Sequence, residues 1–312
     1  MSAKARYHEF CRAAPDVPVF AQPWYLDTCA ESGTWDVVLA EEKGCVVAAL
    51  PFFYKQKGPF RYVTMPPFVK WLGPYLLPEF RGRLPKEHEL LQALIDQLPT
   101  FAAFKQNFYP TNTNWLPFYW QQFRQTTYYT YRLHQLRDLP RVAMRLSTGI
   151  RRDIRLARPQ VRVVHDLPLK EFYRVNMLSF QRQGLAAPYS FAQLARLDAA
   201  LAAAGRRQLF FAIDAQGRVH SVAYLIWDAT TAYFLLAGDD PALRASGAGV
   251  LLAWECVRYA SEELGLDCFD FEGSMLPGVE HIRVRFGAVQ TPYFYVWKHN
   301  SRLFKLLEKL KP

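Results

Sequence analysis

The sequence contains no apolar run long enough to cross a membrane. Its longest uninterrupted apolar segments, such as residues 48–54, fall well short of the roughly 18–20 residues that a transmembrane helix needs. Residues 1–11 include several charged side chains and no apolar core, so we expect no secretory signal. These absences predict a cytoplasmic protein that could contact the inner face of the membrane only peripherally.

Cysteine is sparse, and its spacing is not that of a metal site. The five cysteines form no CxxC pair, and no histidine lies at zinc-ligand spacing from any two of them. An odd number of scattered cysteines without a secretory signal predicts reduced thiols that pack as small apolar side chains. We therefore expect no bound metal.

Acidic residues are outnumbered by basic ones. There are 28 Asp and Glu against 38 Lys and Arg, which gives a formal net charge of +10. This balance favours an anionic partner such as nucleotide phosphates, RNA or acidic lipid headgroups, without deciding among them. Aromatic residues reach 15%, which indicates strand-rich cores and at least one cleft lined by aromatic side chains.

The order of predicted elements indicates a mixed α/β (α+β) chain with two similar halves. In the second half, two helices precede three closely spaced strands within residues 208–237. A glycine-containing loop, a helix over 249–264 and a strand over 267–271 follow. The first half has a looser version of the same order, which predicts two domains at residues 1–137 and 138–312. Its helix over 84–98 has Pro85 near the start and an apolar stripe of leucines.

The glycine-containing loop could bind a phosphate. Its residues are Arg244, Ala245, Ser246, Gly247, Ala248 and Gly249. Backbone N–H groups of such a loop, the following helix N-terminus and the Arg244 guanidinium all attract an anion. No Gly-Lys-Ser/Thr follows, which excludes a Walker loop, and a strand meander precedes it, which excludes a Rossmann fingerprint. The competing interpretation is a flexible loop whose glycines serve the turn.

Several segments resemble those of one enzyme superfamily. The loop before its apolar helix resembles the coenzyme A pyrophosphate loop of GNAT acyltransferases. The segment FDFEGSMLPGV at residues 269–279, with RFGA at 285–288, resembles the closing signature of FemAB-like members of that superfamily. The arginine-rich segment at 147–158 resembles the one that these proteins carry between their two halves. FAQPWY at residues 20–25 and the strand at 48–54 also resemble theirs, so the likeness touches most of the chain.

The resemblance implies a fold and a reaction. The fold would be two tandem GNAT-like domains, the first degenerate, each a mixed and mostly antiparallel sheet flanked by helices. The reaction would transfer an acyl or aminoacyl group from an anionic activated donor, acyl-coenzyme A, to an amine of a small or a lipid- or glycan-linked acceptor. One alternative is an aminoacyl-tRNA-dependent peptidyltransferase that acts on a peptidoglycan precursor, the one case with a nucleic acid partner. The other is a non-catalytic binding protein on the same fold.

Direct acyl transfer needs a base, donors for the oxyanion and, in some cases, an acid. Glu272 is the candidate base. Alternation along a strand would put Asp270 on the same face, where it would contact substrate. Ser274 could donate to the oxyanion, and Tyr233 could act as the acid. The alternatives are that one carboxylate caps a helix or pairs with an arginine, that Ser274 is an N-cap and that Tyr233 only packs.

Residues 140–158 predict one helix between the two halves of the chain. It carries four clustered arginines: Arg151, Arg152, Arg155 and Arg158. Three of them, at i, i+4 and i+7, share one helical face, which predicts a clamp for phosphates of the donor or of a lipid-linked acceptor. A solvated face paired with acidic residues is the alternative.

The C-terminal residues 301–310 predict a basic amphipathic helix. Such a helix could lie on an anionic membrane, which would be a peripheral contact. Packing against the N-terminal domain is the alternative.

Overall fold

The structure of the chain is a computed structural model that describes residues 1–273, 275 and 277–310. Its helices are α1 (Ala3–Ala13), α2 (Pro23–Cys29), α3 (Leu84–Asp96), α4 (Leu116–Trp120), α5 (Leu139–Arg145), α6 (Thr148–Ala157), α7 (Leu169–Arg182), α8 (Phe191–Ala203), α9 (Ala248–Glu262), α10 (Pro277–Arg285) and α11 (Arg302–Lys309). Its strands are β1 (Thr34–Glu42), β2 (Cys45–Lys57), β3 (Phe60–Thr64), β4 (Tyr75–Leu76), β5 (Ala103–Asn107), β6 (Arg124–His134), β7 (Arg162–Val164), β8 (Arg207–Ile213), β9 (Val219–Trp227), β10 (Thr231–Asp239), β11 (Cys268–Asp270) and β12 (Val289–His299).

The chain divides into two compact units. The first consists of Met1–Tyr128 together with the C-terminal segment from Pro292, and the second of Tyr129–Thr291. These units differ from the predicted ranges 1–137 and 138–312 because β12 and α11 belong largely to the first unit. No helix in the described ranges is both long and apolar enough to span a bilayer.

The first unit contains strands in the order β1-β2-β3-β5-β12, with β4 on β2. Among its described strands, β3 and β5 pair in parallel, and α3 lies between them in the chain. The predicted apolar stripe of α3 is buried, with Leu90, Leu91 and Leu94 in one core with Phe104 of β5 and Val296 of β12. A proline in its first turn starts this helix, as the sequence indicates.

The second unit contains strands in the order β6-β11-β10-β9-β8-β7. Again one pair is parallel, β10 with β11, and a helix, α9, connects the two strands. Every residue of β9 is buried, because this central strand is covered on both faces. Each unit therefore combines an antiparallel meander, a helical crossover and one parallel pair. This confirms the expected mixed, mostly antiparallel α/β fold with flanking helices.

The structure departs from the sequence predictions at several helices. The single helix expected over residues 140–158 is two, α5 and α6, because Ser147 begins a new helix by accepting the Ile150 N–H at 3.3 Å. Helices α1 and α4 were not predicted. The amide of Ala5 donates to Ser2 Oγ, so a serine cap opens α1 as well.

Candidate active site

The predicted donor loop opens helix α9. Arg244–Ser246 form one 3-10 turn, and Gly247 follows as the N-cap of α9 with φ 74°. A side chain is strained at this φ, and a Cβ there would lie 3.3 Å from the Asp153 carbonyl oxygen of α6. Glycine at position 247 therefore has a structural reason that is independent of any ligand.

A carboxylate lies beside the first turn of α9. A Cβ on Gly249 would lie 2.5 Å from Asp239 Oδ1, so only glycine leaves room for that side chain. Ser221 Oγ donates to Asp239 Oδ1 at 2.7 Å, and Arg244 Nε lies 3.6 Å from Asp239 Oδ2. A helix N-terminus attracts negative charge, and Asp239 supplies it here. A phosphate that approached α9 would share Arg244 with this carboxylate.

Ser246 belongs to a buried hydrogen-bonded chain that sequence reasoning missed. Ser246 Oγ lies 2.9 Å from His220 Nδ1, and His220 Nε2 lies 3.0 Å from Asp214 Oδ2. Burial alone would raise the pKa of Asp214, but hydrogen bonds from His220 and Arg218 outweigh it and hold that pKa well below its ordinary value. The Asp214 carboxylate therefore stays ionised beside His220.

This chain ties the loop to the sheet. Ser246 Oγ also lies 2.9 Å from the Leu243 carbonyl oxygen and accepts the Ala248 N–H at 3.3 Å. The Gln216-Gly217 dipeptide is a turn signal in the sequence, and Asp214, directly after β8, and His220 of β9 flank it. Ser246 thus has an anchoring role in the free protein.

Strands β10 and β11 are paired over a short stretch only. Their parallel ladder ends at Tyr233 and Asp270, whereas β10 pairs with β9 as far as Asp239. A bulge at Leu235 follows the end of this ladder. In the part of the chain that the structure describes, residues 234–239 have no strand neighbour on the β11 side. We refer to this feature as the β10–β11 opening.

Helix α7 covers the far end of the β10–β11 opening. Asn176 Nδ2 donates to the Ala237 carbonyl oxygen at 2.7 Å, and the Asp239 N–H donates to Ser179 Oγ at 3.0 Å. Gly238 is required between them, because a Cβ there would lie 2.5 Å from Asn176 Cα. Residues 234–236, next to the bulge, are the part of this stretch closest to the end of the β10–β11 ladder.

Glu272 follows the end of β11 in a conformation that non-glycine residues rarely adopt. Its φ is 60°, and only 3% of the residue is exposed. Asp270 Oδ1 accepts the Glu272 N–H at 2.8 Å, and Arg132 Nε donates to Asp270 Oδ2 at 2.7 Å. Thr130 also donates to Asp270, and Arg283 donates to the Glu272 carbonyl oxygen. Side chains on three elements thus hold this strained backbone in place.

This geometry corrects the alternation expected for Asp270 and Glu272. The expected strand over 267–271 ends at Asp270, so the two residues are not alternate positions of one strand. Asp270 has no exposed surface and is ion-paired with Arg132, which gives it a supporting position in the free protein rather than a face towards substrate. The sequence allowed for an arginine partner but did not identify Arg132 on β6.

The other two catalytic candidates are Tyr233 and Ser274. Tyr233 is buried on β10, and its hydroxyl donates to Asp228 Oδ2 at 2.7 Å. Tyr233 lies at the last pair of the β10–β11 ladder, and its hydroxyl proton is already donated to Asp228. Ser274 lies outside the described residues. The roles of both stay predictions.

The arginine face of α6 is exposed. Ile150, Ile154 and Ala157 form the buried side of the helix. The four predicted arginines are exposed to solvent: Arg151, Arg152, Arg155 and Arg158. Arg152 pairs with Asp153 at 3.1 Å, and Arg158 lies 3.7 Å from Glu255. Among the described residues, Arg151 and Arg155 form no ion pair, so this i, i+4 pair presents two free cations.

Comparisons with known proteins agree with this architecture. The sequence profile of the family described as acetyltransferase (GNAT) domain matches residues 143–281. A search of curated protein sequences finds no match. A crystal structure of FemX covers 97% of this chain and 98% of its own, with a TM-score of 0.73 at 13% identity.

Two further solved structures share the fold. The C-terminal domain of a putative lysylphosphatidylglycerol synthetase from Agrobacterium fabrum covers 98% of this chain and 95% of its own, with a TM-score of 0.58 at 12% identity. A tandem GNAT protein from the clavulanic acid biosynthesis pathway covers 95% of this chain and 94% of its own, with a TM-score of 0.54 at 12% identity.

The profile match lies within the second unit and includes the loop, α9 and β11. The structural matches extend over both units, as expected for a tandem GNAT-like fold. Residues 143–281 thus match the profile of a GNAT acetyltransferase domain, and the chain shares its fold with FemX and with a tandem GNAT protein.

Proposed function

We propose that the chain is an N-acyltransferase that moves an acyl group from acyl-coenzyme A to an amine of a small or a lipid- or glycan-linked acceptor. The observation that carries this proposal is the β10–β11 opening inside the matched GNAT domain. Residues 234–236 of β10 have no β11 neighbour there, α9 follows β10 in the chain, and the buried Glu272 follows β11. Direct acyl transfer requires such parts: hydrogen-bonding groups for the acyl donor, an anion-attracting group and a base.

The proposed reaction needs no covalent intermediate on the protein. The amine nitrogen attacks the thioester carbonyl carbon, so that a C–N bond forms and the C–S bond breaks. Glu272 takes the proton that the amine loses, and the departing thiolate gains a proton from solvent. A backbone N–H of β10 beside the bulge at Leu235 would donate to the developing oxyanion, because a bulge releases strand groups from the ladder.

Arg244 and the first turn of α9 would hold the phosphates of the donor. Asp239 opposes this binding, because its carboxylate lies beside the same turn and 3.6 Å from Arg244. Donor phosphates would therefore have to compete with Asp239 for the same cation. We infer that Asp239 lowers the affinity of the loop for phosphates.

A second donor class, aminoacyl-tRNA, is favoured by the free cations of α6. Arg151 and Arg155 are exposed and form no ion pair among the described residues, which suits contact with a nucleic-acid backbone. The similar fold of a putative lysylphosphatidylglycerol synthetase, whose name denotes transfer of an amino acid to a lipid, supports the same class. The acceptor would then be a peptidoglycan precursor or another envelope amine or hydroxyl.

Calorimetric titration separates the two donor classes. Purified chain is titrated with acyl-coenzyme A of several chain lengths and, separately, with aminoacyl-tRNA. The double variant Arg151→Gln/Arg155→Gln should leave acyl-coenzyme A binding unchanged, and it should weaken tRNA binding and reduce its salt dependence if tRNA is the donor. Arg182→Gln, on an exposed arginine of α7, is the matched control. If neither donor binds, both proposals are wrong, and the chain is then best described as a non-catalytic binding protein on the same fold.

A further inference from the structure

Helix α11 is fixed to the first unit by one face only. Phe304 is buried, with its ring centroid 5.4 Å from that of Phe60 and 5.0 Å from that of Tyr62. Glu308, one turn further, pairs with Lys105 at 2.6 Å and with His299 Nε2 at 2.8 Å. These contacts determine which side of α11 points to solvent.

The opposite side of α11 is an exposed apolar stripe. Leu303, Leu306 and Leu310 follow one another at i, i+3 and i+7, and they are 57%, 56% and 70% exposed. With 100° per residue, all three point away from Phe304 and Glu308. Three exposed leucines on one helical face form an apolar patch. Such a patch indicates a surface that binds another apolar surface.

Basic side chains border this leucine stripe. The exposed cations on α11 are Arg302, Lys305 and Lys309. The β2–β3 hairpin, which carries Phe60 against α11, adds the exposed Lys57, which is paired with Phe60 in the ladder. Glu308 is the one acid within residues 300–310, and it points inward to its two basic partners. At 100° per residue, the three α11 cations lie together on the Leu306 side of the stripe, so the outward surface is an apolar stripe with a cationic strip along one border.

We propose that the outer face of α11 binds the surface of an anionic phospholipid bilayer. The leucines would enter the boundary between headgroups and acyl chains, and the lysines and Arg302 would contact lipid phosphates. A second copy of this chain fits the same surface poorly, because its cations would face like charges. A bilayer supplies both an apolar layer and a sheet of negative charge, which is the complement of this face.

Vesicle co-sedimentation of the full chain tests the proposal. We expect binding to vesicles of phosphatidylglycerol and phosphatidylcholine in equal parts, little binding to pure phosphatidylcholine and weaker binding at high salt. The triple variant Leu303→Ser/Leu306→Ser/Leu310→Ser should lose about tenfold or more in binding. It should keep the wild-type circular dichroism, because these side chains point outward. Leu84→Ser, at a leucine of the same unit that is 57% exposed, is the matched control and should bind like wild type.

A second variant, Arg302→Gln/Lys305→Gln/Lys309→Gln, should also reduce binding and remove most of its salt dependence. Absence of binding to the anionic vesicles at low salt would overturn the proposal. Equal binding by the leucine variant and wild type would also overturn it, because the general positive charge of the chain would then suffice. A third result is that wild type forms a dimer and does not bind vesicles. If the leucine variant abolished that dimer, the stripe would be assigned to self-association and the proposal would be overturned.

Discussion

The Asp270 carboxylate accepts the Glu272 N–H at 2.8 Å and pairs with Arg132 at 2.7 Å, so one buried side chain links β6 to the candidate base. Asp270→Ala should lower the free energy of unfolding by about 3–5 kcal/mol, because it leaves the Arg132 guanidinium buried without its carboxylate. Urea denaturation measures this change. Glu171→Ala, which breaks an exposed pair with Arg174, should cost less than about 1 kcal/mol. Equal effects of the two variants would contradict a structural role for Asp270.

The strained backbone of Glu272 predicts that glycine is more stable than alanine at this position. Glu272→Gly should have a free energy of unfolding about 1 kcal/mol above that of Glu272→Ala, because glycine adopts a φ of 60° without strain, and both variants should lose activity. Lys43→Gly and Lys43→Ala are the control pair, since exposed Lys43 has a φ of 49° in the β1–β2 turn and lies outside the site. Urea denaturation of the four variants measures both differences. A difference in the Lys43 pair and none in the Glu272 pair would contradict backbone strain at residue 272.

The same residue, changed conservatively, tests the chemistry. Glu272→Gln keeps the size of the side chain and removes the base, so kcat should fall by about 10²–10⁴-fold while the donor Kd is unchanged. Steady-state kinetics and calorimetry provide the two values. A kcat within a few-fold of wild type would mean that the proton leaves by another route.

Asp239 should weaken the binding of phosphates at α9. Asp239→Asn keeps an acceptor for Ser221 and removes the negative charge beside the helix N-terminus. We expect acyl-coenzyme A to bind about two- to fivefold more tightly, the size of a helix-terminal charge effect. Asp166→Asn, at an exposed acid of the same unit, should leave the affinity unchanged. Unchanged affinity in Asp239→Asn would place the phosphates elsewhere.

The pKa of Asp214 predicts how the loop anchor responds to acid. Because folding lowers this pKa, protonation favours the unfolded chain. The contribution of Asp214 is complete above the ordinary aspartate pKa of about 4 and is lost as pH falls below it. Asp214→Asn should therefore melt at a lower temperature than wild type at pH 7, and the two melting curves should converge in acid. A difference in Tm that stays constant with pH would contradict this account.

The sequence predicted the elements that have strong local patterns. The leucines of α3, the meander in the second half and the glycine loop before α9 all follow from periodicity and turn residues. These patterns also carried the resemblance to the GNAT superfamily. The return of β12 to a strand of the first unit has no local pattern, because the pairing of β5 with β12 joins residues far apart in the chain.

The candidate site shows the same division. Glu272 and the loop were named from the sequence, but their partners were not. Arg132 contacts Asp270 only because β6 pairs with β11, and Asp239 contacts Gly249 only because α9 turns back at the end of β10. The left-handed φ of Glu272 depends on these long-range contacts, and no residue-type preference indicates it.

Hydrogen exchange tests the central claim, that the donor binds in the β10–β11 opening. The backbone amides of the full chain are followed by mass spectrometry with and without saturating acyl-coenzyme A, and in parallel with aminoacyl-tRNA. One of the two donors should slow exchange in residues 234–251, which include the part of β10 without a β11 neighbour and the first turn of α9. Slowed exchange confined to residues 1–128, or no change with either donor, would contradict the claim.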